Sequence, residues 1–156
     1  MSFFYLTEKI KFYFQGYTAH GIHSPFVYKM VTECLRNPKI PKETIFYTES
    51  ISRRNLVLLN RLLFYYQIKN ITTIPKAGYN AFISQNFEKS DEILSLLEDN
   101  QFWFILNIRK NPETFQKWNE LIDKKEVILS IDLFDIGVIL KRKEQLKQDF
   151  KLKFLG

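Results

Sequence analysis

Two histidines and two aspartates are the first side chains in this sequence whose types and spacing could do chemistry. His20 and His23, the only histidines, are spaced like a pair of metal ligands. Zinc needs three or four ligands, and no cysteine or carboxylate cluster accompanies this pair, so we interpret it as holding the start of a helix at Ser24. Asp132 and Asp135 could act as acid and base, but they flank a predicted turn, where aspartate is common. The turn interpretation is favoured.

A second set of side chains mixes positive charge with aromatic rings, as proteins that bind single-stranded nucleic acid do. The set consists of Arg53, Arg54, Arg61 and Lys69, beside Tyr47, Tyr65 and Tyr66. No recognised RNA-binding motif accompanies it. We interpret the four basic residues as an anion-binding or partner-binding patch, with nucleic acid as the less favoured partner.

The positive charge of the chain lies in its first half. The net charge is +6, and residues 1–70 hold ten Lys or Arg and four Asp or Glu, whereas residues 71–156 hold thirteen of each. Such an excess could meet phosphate or an acidic partner. A mildly basic solvated surface is the simpler explanation and is favoured.

The cysteine content and the apolar runs indicate the cellular compartment of the protein. Cys34 is the single cysteine, so the chain forms no internal disulfide, which suits a reducing compartment. We interpret it as a small core residue. The N-terminus lacks a signal-peptide pattern, and the apolar run at residues 56–66 is too short to span a bilayer. We therefore expect a cytoplasmic protein.

The stretch from residue 126 to residue 142 organises the predicted fold. Its arms, 127–133 and 136–140, are rich in aliphatic residues, and a short link that carries Asp135 separates them. This pattern is typical of an antiparallel hairpin. The arms are apolar almost without alternation, which predicts a sheet with both faces covered by helices, as in an α/β fold.

The rest of the chain supplies helices and further strands. Helices are predicted over residues 3–15, 25–36, 52–67, 90–98 and 112–124, a helical turn or two over 144–150, and strands over 71–74 and 102–108. Residues 79–89 are ambiguous. The aromatic, basic helix 3–15 could lie on a membrane surface, but docking on its own core is favoured because so much aromatic surface needs covering.

The length of the chain predicts one domain. At 156 residues, with 46% hydrophobic residues, the chain can bury one sizeable core. We expect a single domain over 1–156, with a helical part at 1–69 and a sheet-containing core at 70–156.

Four stretches of the chain follow the order of conserved regions in a known family. They are residues 20–27 (HGIHSPFV), 60–71, 105–118 and 127–150. They resemble, in turn, the N-terminal signature, the helix before the first strand, the fifth strand with its following helix, and the terminal hairpin of class I S-adenosylmethionine-dependent methyltransferases. The form they resemble has a helical N-terminal extension before a Rossmann-like core.

The resemblance implies a cofactor-binding turn after the first strand. Family members place glycines and an acidic residue there, so that the backbone approaches the cofactor and a carboxylate binds the ribose. The corresponding positions are Ile74, Pro75, Lys76, Ala77 and Gly78. One glycine remains, no carboxylate is present, and proline removes an N–H group. No cofactor is therefore expected, and S-adenosylmethionine would bind only if the chain were an active enzyme.

The resemblance also implies paired aspartates at the end of the fifth strand. Those two positions are Leu106 and Asn107. Leucine can neither bind a metal nor accept a proton, and asparagine is a poor proton acceptor. No catalytic residue and no metal ligand are predicted.

The spacing between the first and fifth strands implies a truncated sheet. The family sheet runs 3-2-1-4-5-7-6, but only the 27 residues from 75 to 101 are present where three strands and their crossovers belong. The resemblance therefore implies a truncated Rossmann-like α/β fold of about four strands in the order 1-5-7-6, with the last hairpin antiparallel. A helix is expected between residues 74 and 102.

These observations predict a non-catalytic relative of the methyltransferases that acts as a binding or assembly subunit, with a protein partner or as a homo-oligomer. Two alternatives stay open. One is an active S-adenosylmethionine-dependent methyltransferase with a reduced core, completed by a partner chain. The other is a basic nucleic-acid-binding module.

Overall fold

The computed structural model describes residues 2–18, 20–73, 76–143 and 145–154, and they adopt the predicted α/β class. The helices are α1 (Phe3–Gln15), α2 (Pro25–Lys29) with a π-helical continuation (Met30–Leu35), α3 (Arg53–Tyr65), α4 (Ser90–Leu96) and α5 (Pro112–Ile122). The strands are β1 (Ile71–Thr72), β2 (Ala81–Ser84), β3 (Phe102–Leu106), β4 (Leu129–Asp132), β5 (Ile136–Leu140) and β6 (Gln148–Lys151).

The described strands form one mixed sheet in the order β1-β2-β3-β5-β4-β6. β1 pairs with β2, β2 with β3 and β4 with β6 in parallel, whereas β5 is antiparallel to β3 and β4. The predicted hairpin of β4 and β5 is confirmed, with Ile131 opposite Val138. The predicted crossover helix before residue 102 is also present, as α4.

The predicted strand count of four is wrong, because two short segments join the sheet. β2 forms in the ambiguous stretch 79–89 and lies between β1 and β3, where Ala81, Phe82 and Ile83 are buried. The strands β1, β3, β5 and β4 do follow one another in the predicted order 1-5-7-6, but β2 lies between the first two of them. β6 forms at 148–151, where a helical turn was predicted; its polar side chains suit the edge of a sheet.

Side-chain caps explain where the longer helices begin. Ser24 accepts a hydrogen bond from the Val27 backbone N–H at 3.4 Å, and Pro25 occupies the first helical position. Ser52 caps α3 and Asn111 caps α5 in the same way. These starts follow from local sequence and were predicted.

The sheet separates two hydrophobic clusters, which confirms that both faces are covered. On β3, Phe104 and Leu106 belong to the cluster with the π-helical segment and α3, whereas Trp103 and Ile105 belong to the cluster with α4 and α5. The first cluster joins side chains of residues 22–68 to the sheet. The helical N-terminal part therefore packs on the sheet.

α1 docks on the core with one face only. Phe12 and Glu8 are buried, and the Tyr5 ring lies 5.1 Å from the Phe134 ring in an edge-on contact. Phe3 and Phe14 on the opposite face are 83% and 80% exposed. The prediction that α1 covers its aromatic surface on its own core is therefore wrong for half of the helix.

In the described part of the chain no helix is long and apolar enough to cross a membrane.

The thiol of Cys34 is expected to be unreactive in the folded protein. The side chain is fully buried, and burial raises its pKa to about 12. The folded state therefore favours the protonated thiol over the thiolate. The contribution of this preference to the free energy of unfolding is complete below the pKa of an unfolded cysteine, and it is lost as the pH rises from there towards 12. A disulfide reagent near neutral pH should label Cys34 only after unfolding, and it should label an exposed Ser95→Cys control at once. Equal labelling rates for the two thiols would contradict the burial of Cys34.

Candidate functional site

The turn that was predicted from the resemblance to correspond to a cofactor loop is exposed to solvent. Ile74 and Pro75 lie outside the described residues. Lys76, Ala77 and Gly78 are exposed; Gly78 has φ of +81°, and a Cβ atom added to it would meet no described atom within 4 Å. The glycine therefore permits the turn but faces no neighbouring part of the described chain.

Leu106 and Asn107, at the positions of the paired aspartates, have structural roles. Leu106 is fully buried in β3 and pairs with Ile136. Asn107 has φ of +60°, a left-handed conformation that asparagine tolerates, and its amide nitrogen donates to the Ser50 carbonyl at 2.8 Å. Asn107 thus fastens the loop before α3 to the end of β3.

The four basic residues proposed as an anion-binding patch do not lie together. Arg53 and Lys69 are exposed near opposite ends of α3. Arg61 is buried, and its guanidinium donates to the backbone carbonyls of Cys34 (2.7 Å) and Asn37. Carbonyls at the end of a helical segment have no partners within it, so Arg61 stabilises the end of the π-helical segment. Arg54 and Lys69 each line a cavity, but the two cavities are different ones.

Within the described residues, the two histidines are not grouped with other side chains that could bind a metal. His23 is exposed next to the Ser24 cap. Across residues 2–18, 20–73, 76–143 and 145–154, no group of three or more His, Cys, Asp or Glu side chains is arranged to hold a metal ion.

A cavity of about 390 Å³, which we call the edge pocket, lies where β4 ends and β5 begins. β5 is antiparallel to both β3 and β4, so β3 and β4 run in the same direction. The pocket therefore lies at the sheet edge formed by the carboxyl ends of β1, β2, β3 and β4. It is lined by Tyr5, Lys9, Phe12 and Tyr13 of α1, Ser52, Arg54, Asn55 and Leu58 around the start of α3, Leu133, Phe134 and Asp135 of the β4–β5 turn, and Lys153 and Phe154 of the tail.

Asp135 ties the walls of the edge pocket together. Its Oδ2 accepts hydrogen bonds from the Tyr5 hydroxyl at 2.8 Å and from the Asn55 amide at 2.9 Å. Burial and the hydrogen bond to Asp135 raise the pKa of Tyr5 well above its usual value, so the phenol stays protonated. α1 and α3 are therefore both fastened to the β4–β5 turn through one carboxylate.

A buried ion pair supports the floor of the edge pocket. Arg109 donates from Nη1 and Nη2 to the two carboxylate oxygens of Asp132, at 2.8 and 2.7 Å. Its guanidinium lies 5.2 Å from the Phe12 ring centroid, 4.3 Å from that of Phe115 and 4.8 Å from that of Phe134. Sequence reasoning missed Arg109; a charged residue directly after a buried strand was the signal.

The edge pocket suits binding better than catalysis. The pocket is lined by three cationic side chains, Lys9, Arg54 and Lys153, and by one carboxylate, Asp135. The net charge of the pocket lining is therefore positive. The described lining includes no cysteine or histidine, and Asp135 already accepts two hydrogen bonds. Arg54 itself is held by the Phe154 carbonyl and lies 5.7 Å from the Phe154 ring centroid. Aromatic walls with cations at the rim favour an anionic group.

Comparison with known proteins identifies no relative. No family model, no curated protein and no solved structure matches the chain. The resemblance to methyltransferases therefore stays a prediction from the sequence, and only the geometry of the described residues bears on function.

Proposed function

We propose that this chain is a non-catalytic relative of the class I S-adenosylmethionine-dependent methyltransferases that acts as a binding or assembly subunit in the cytoplasm. It uses a reduced Rossmann-like sheet as a scaffold. The rigid surface around the edge pocket makes its contacts, with a protein partner or with a second copy.

The order of the strands supports the proposed relationship. Five neighbouring strands, β1-β2-β3-β5-β4, follow the order 1-4-5-7-6 of the family sheet if β2 takes the place of the fourth strand. The strand in the place of the seventh, β5, is antiparallel to both neighbours, as the family requires. On this assignment the second and third strands of the family are the ones that the described sheet lacks.

The position of β1 is the observation that carries the non-catalytic proposal. Open α/β sheets bind ligands in a crevice where the strand order reverses, beyond the carboxyl ends of the strands. β1, β2 and β3 are neighbours in the sheet in the same order as in the chain, so the strand order does not reverse at β1. β1 is also an edge strand of only two residues. The described sheet has no strand on the outer side of β1, so a cofactor next to it would lack one wall of its crevice.

At the other end of the same sheet edge, the chain itself holds the walls of the edge pocket in place. Tyr5 and Asn55 both donate to Asp135, and Asn107 donates to the Ser50 carbonyl. These hydrogen bonds hold α1 and the start of α3 over the carboxyl ends of β3 and β4. A subunit that binds a partner benefits from such a rigid surface.

We expect no saturable binding of S-adenosylmethionine at micromolar concentration. The exposed turn at 76–78 offers one glycine and no carboxylate, and Lys76 would repel the sulfonium. Each lost contact to a polar group costs about 1–3 kcal/mol, so the loss of two or three weakens binding by several powers of ten. Isothermal titration calorimetry with S-adenosylmethionine and S-adenosylhomocysteine measures this directly.

A Gly78→Val variant is the matched control for this titration. The positive φ of Gly78 makes valine unfavourable in the turn, while the open space around it leaves the rest of the fold intact. Micromolar binding by the parent that disappears in Gly78→Val, while the variant remains folded, would overturn the proposal in favour of an active enzyme.

A further inference from the structure

α1 presents a continuous apolar face to solvent. The exposed side chains are Phe3 (83%), Leu6 (47%), Ile10 (52%), Tyr13 (62%) and Phe14 (80%), followed just past the helix by Tyr17 (49%). Their intervals of three and four residues place them along one side of the helix, and we call this set the outer stripe. From Phe3 to Phe14 the outer stripe extends over roughly 16 Å.

The opposite face of α1 holds the outer stripe in place. The Phe4 ring packs against the Phe115 ring, with 6.2 Å between the ring centroids, and the Phe12 ring packs against the Phe134 ring, with 5.3 Å between the centroids. The Tyr5 hydroxyl adds the hydrogen bond to Asp135. α1 is therefore anchored on α5 and the β4–β5 turn, and it cannot turn its outer stripe inward without losing these contacts.

The charged side chains around the outer stripe are positive or already paired. With 3.6 residues per turn, Lys9 and Lys11 lie on opposite borders of the stripe. Lys153 lies 4.8 Å from the Tyr13 ring centroid, and Lys151 donates to the Gln15 side chain at 2.8 Å at the end of the helix. The one carboxylate of α1, Glu8, is buried and accepts from Lys11 at 2.8 Å.

The edge pocket continues this positive surface. Lys9 and Tyr13 line it from α1, and Arg54 and Lys153 line its other walls. Its carboxylate, Asp135, is occupied by the hydrogen bonds from Tyr5 and Asn55. The apolar stripe is thus bordered on the pocket side by three cationic side chains, with no free carboxylate among the described neighbours.

We propose that the outer stripe of α1 docks this protein on the surface of an anionic phospholipid bilayer, with its apolar side chains below the headgroups and the surrounding lysines and Arg54 against the phosphates. An interfacial helix combines an apolar face rich in Phe and Leu with lysines along its borders. Lysine stems lie along the apolar surface while their ammonium groups reach the headgroups. This docking is independent of whether the chain is an enzyme.

The charge pattern favours this occupant over a second copy of the chain. Two outer stripes packed together would bring Lys9 and Lys153 of both copies to one interface, where like charges repel. An anionic bilayer instead offers negative charge on every side of the apolar ridge. Each lysine or arginine next to such a surface strengthens binding about fivefold.

Vesicle flotation tests the docking. The full chain should float with phosphatidylcholine vesicles that contain phosphatidylserine, bind phosphatidylcholine alone far more weakly, and lose affinity as salt is raised. Exchanging Phe3 and Phe14 together for serine should weaken binding about tenfold or more, because both rings leave the bilayer. Lys9→Gln with Lys153→Gln should weaken binding to the anionic vesicles only.

Matched controls separate the stripe from general surface apolarity. Tyr47 and Leu146 are 66% and 86% exposed and lie outside the outer stripe, so Tyr47→Ser and Leu146→Ser should bind vesicles like the parent. All four serine exchanges remove exposed side chains, so each variant should keep the parent's melting temperature. Binding that the stripe exchange leaves unchanged, or that the control exchanges weaken equally, overturns the proposal.

A tryptophan probe distinguishes insertion from surface adsorption. Trp103 and Trp118 are buried, so they report little change when the surface binds lipid. In a Phe14→Trp variant, anionic vesicles should shift the emission to the blue, and lipids brominated on their acyl chains should quench it. Emission from this variant that is neither shifted nor quenched, or a chain that does not bind phosphatidylserine vesicles at all, would rule out the docking.

Discussion

Replacing Asp132 with alanine should lower the free energy of unfolding by about 3–5 kcal/mol, the usual cost of removing one partner of a buried ion pair. Arg109 and Asp132 are both almost inaccessible to solvent, with side-chain exposures of 1% and 5%. Without the carboxylate, the guanidinium keeps only its hydrogen bond to the Phe134 carbonyl and its aromatic neighbours. Asp132 also accepts from the Phe134 backbone N–H at 2.8 Å, so the β4–β5 turn loosens as well.

Urea unfolding of the variant and the parent measures this difference. Asp91→Ala is the matched control, because it also removes an aspartate from an ion pair, with Lys124, but Asp91 is 84% exposed. Exposed pairs contribute little, so this control should change stability far less. Removing both charges of the buried pair, as Arg109→Met with Asp132→Leu, should recover part of the loss. A loss for Asp132→Ala no larger than for Asp91→Ala would show that the pair is not buried in solution.

Replacing Trp118 with alanine should cost about 3–5 kcal/mol, as deletion of a large buried aromatic side chain usually does. Trp118 of α5 is 1% exposed and belongs to the cluster between the sheet and the helices α4 and α5, so it is a core residue. Leu129 of β4 is fully buried in the cluster on the other face of the sheet. A loss of this size lowers the melting temperature of a domain of this length by about ten degrees. A Trp118→Ala variant that melts within a degree or two of the parent would show that the ring is exposed.

Gly137 makes the contact of Trp118 with the sheet testable. A Cβ atom at Gly137 would lie 2.5 Å from Cζ3 of the Trp118 ring, closer than carbon atoms approach. Gly137→Ala should therefore destabilise the parent by moving the ring, and the same change should be nearly harmless in a Trp118→Leu background. A double-mutant cycle measures the coupling between the two positions. Equal costs in the two backgrounds would mean that the ring does not lie over Gly137.

The local sequence determined those elements whose signals lie within a few neighbouring residues. Ser24 with Pro25, Ser52 and Asn111 define helix starts because each side chain caps a backbone N–H three residues later. The β4–β5 hairpin follows from two apolar arms joined by a short turn, so its partners are adjacent in the chain. The α/β class followed from these elements without knowledge of the tertiary fold.

The tertiary structure decided the membership of the sheet. β2 and β6 have four residues each, and both pair in parallel with strands distant in the chain. Their intrinsic preferences are weak, so the free strand edges of β3 and β4 determine their conformation. The four-stranded prediction failed for this reason.

The tertiary structure also decided which charged and aromatic residues act together. Arg53, Arg54 and Arg61 are close in sequence, yet Arg61 turns to buried carbonyls, while Arg54 meets Lys9 and Lys153 from the two ends of the chain in the edge pocket. The composition of α1 indicated an aromatic, basic helix, but not which face docks. That choice depends on Asp135 and Phe134, more than a hundred residues away, because a buried contact stabilises whichever face it meets.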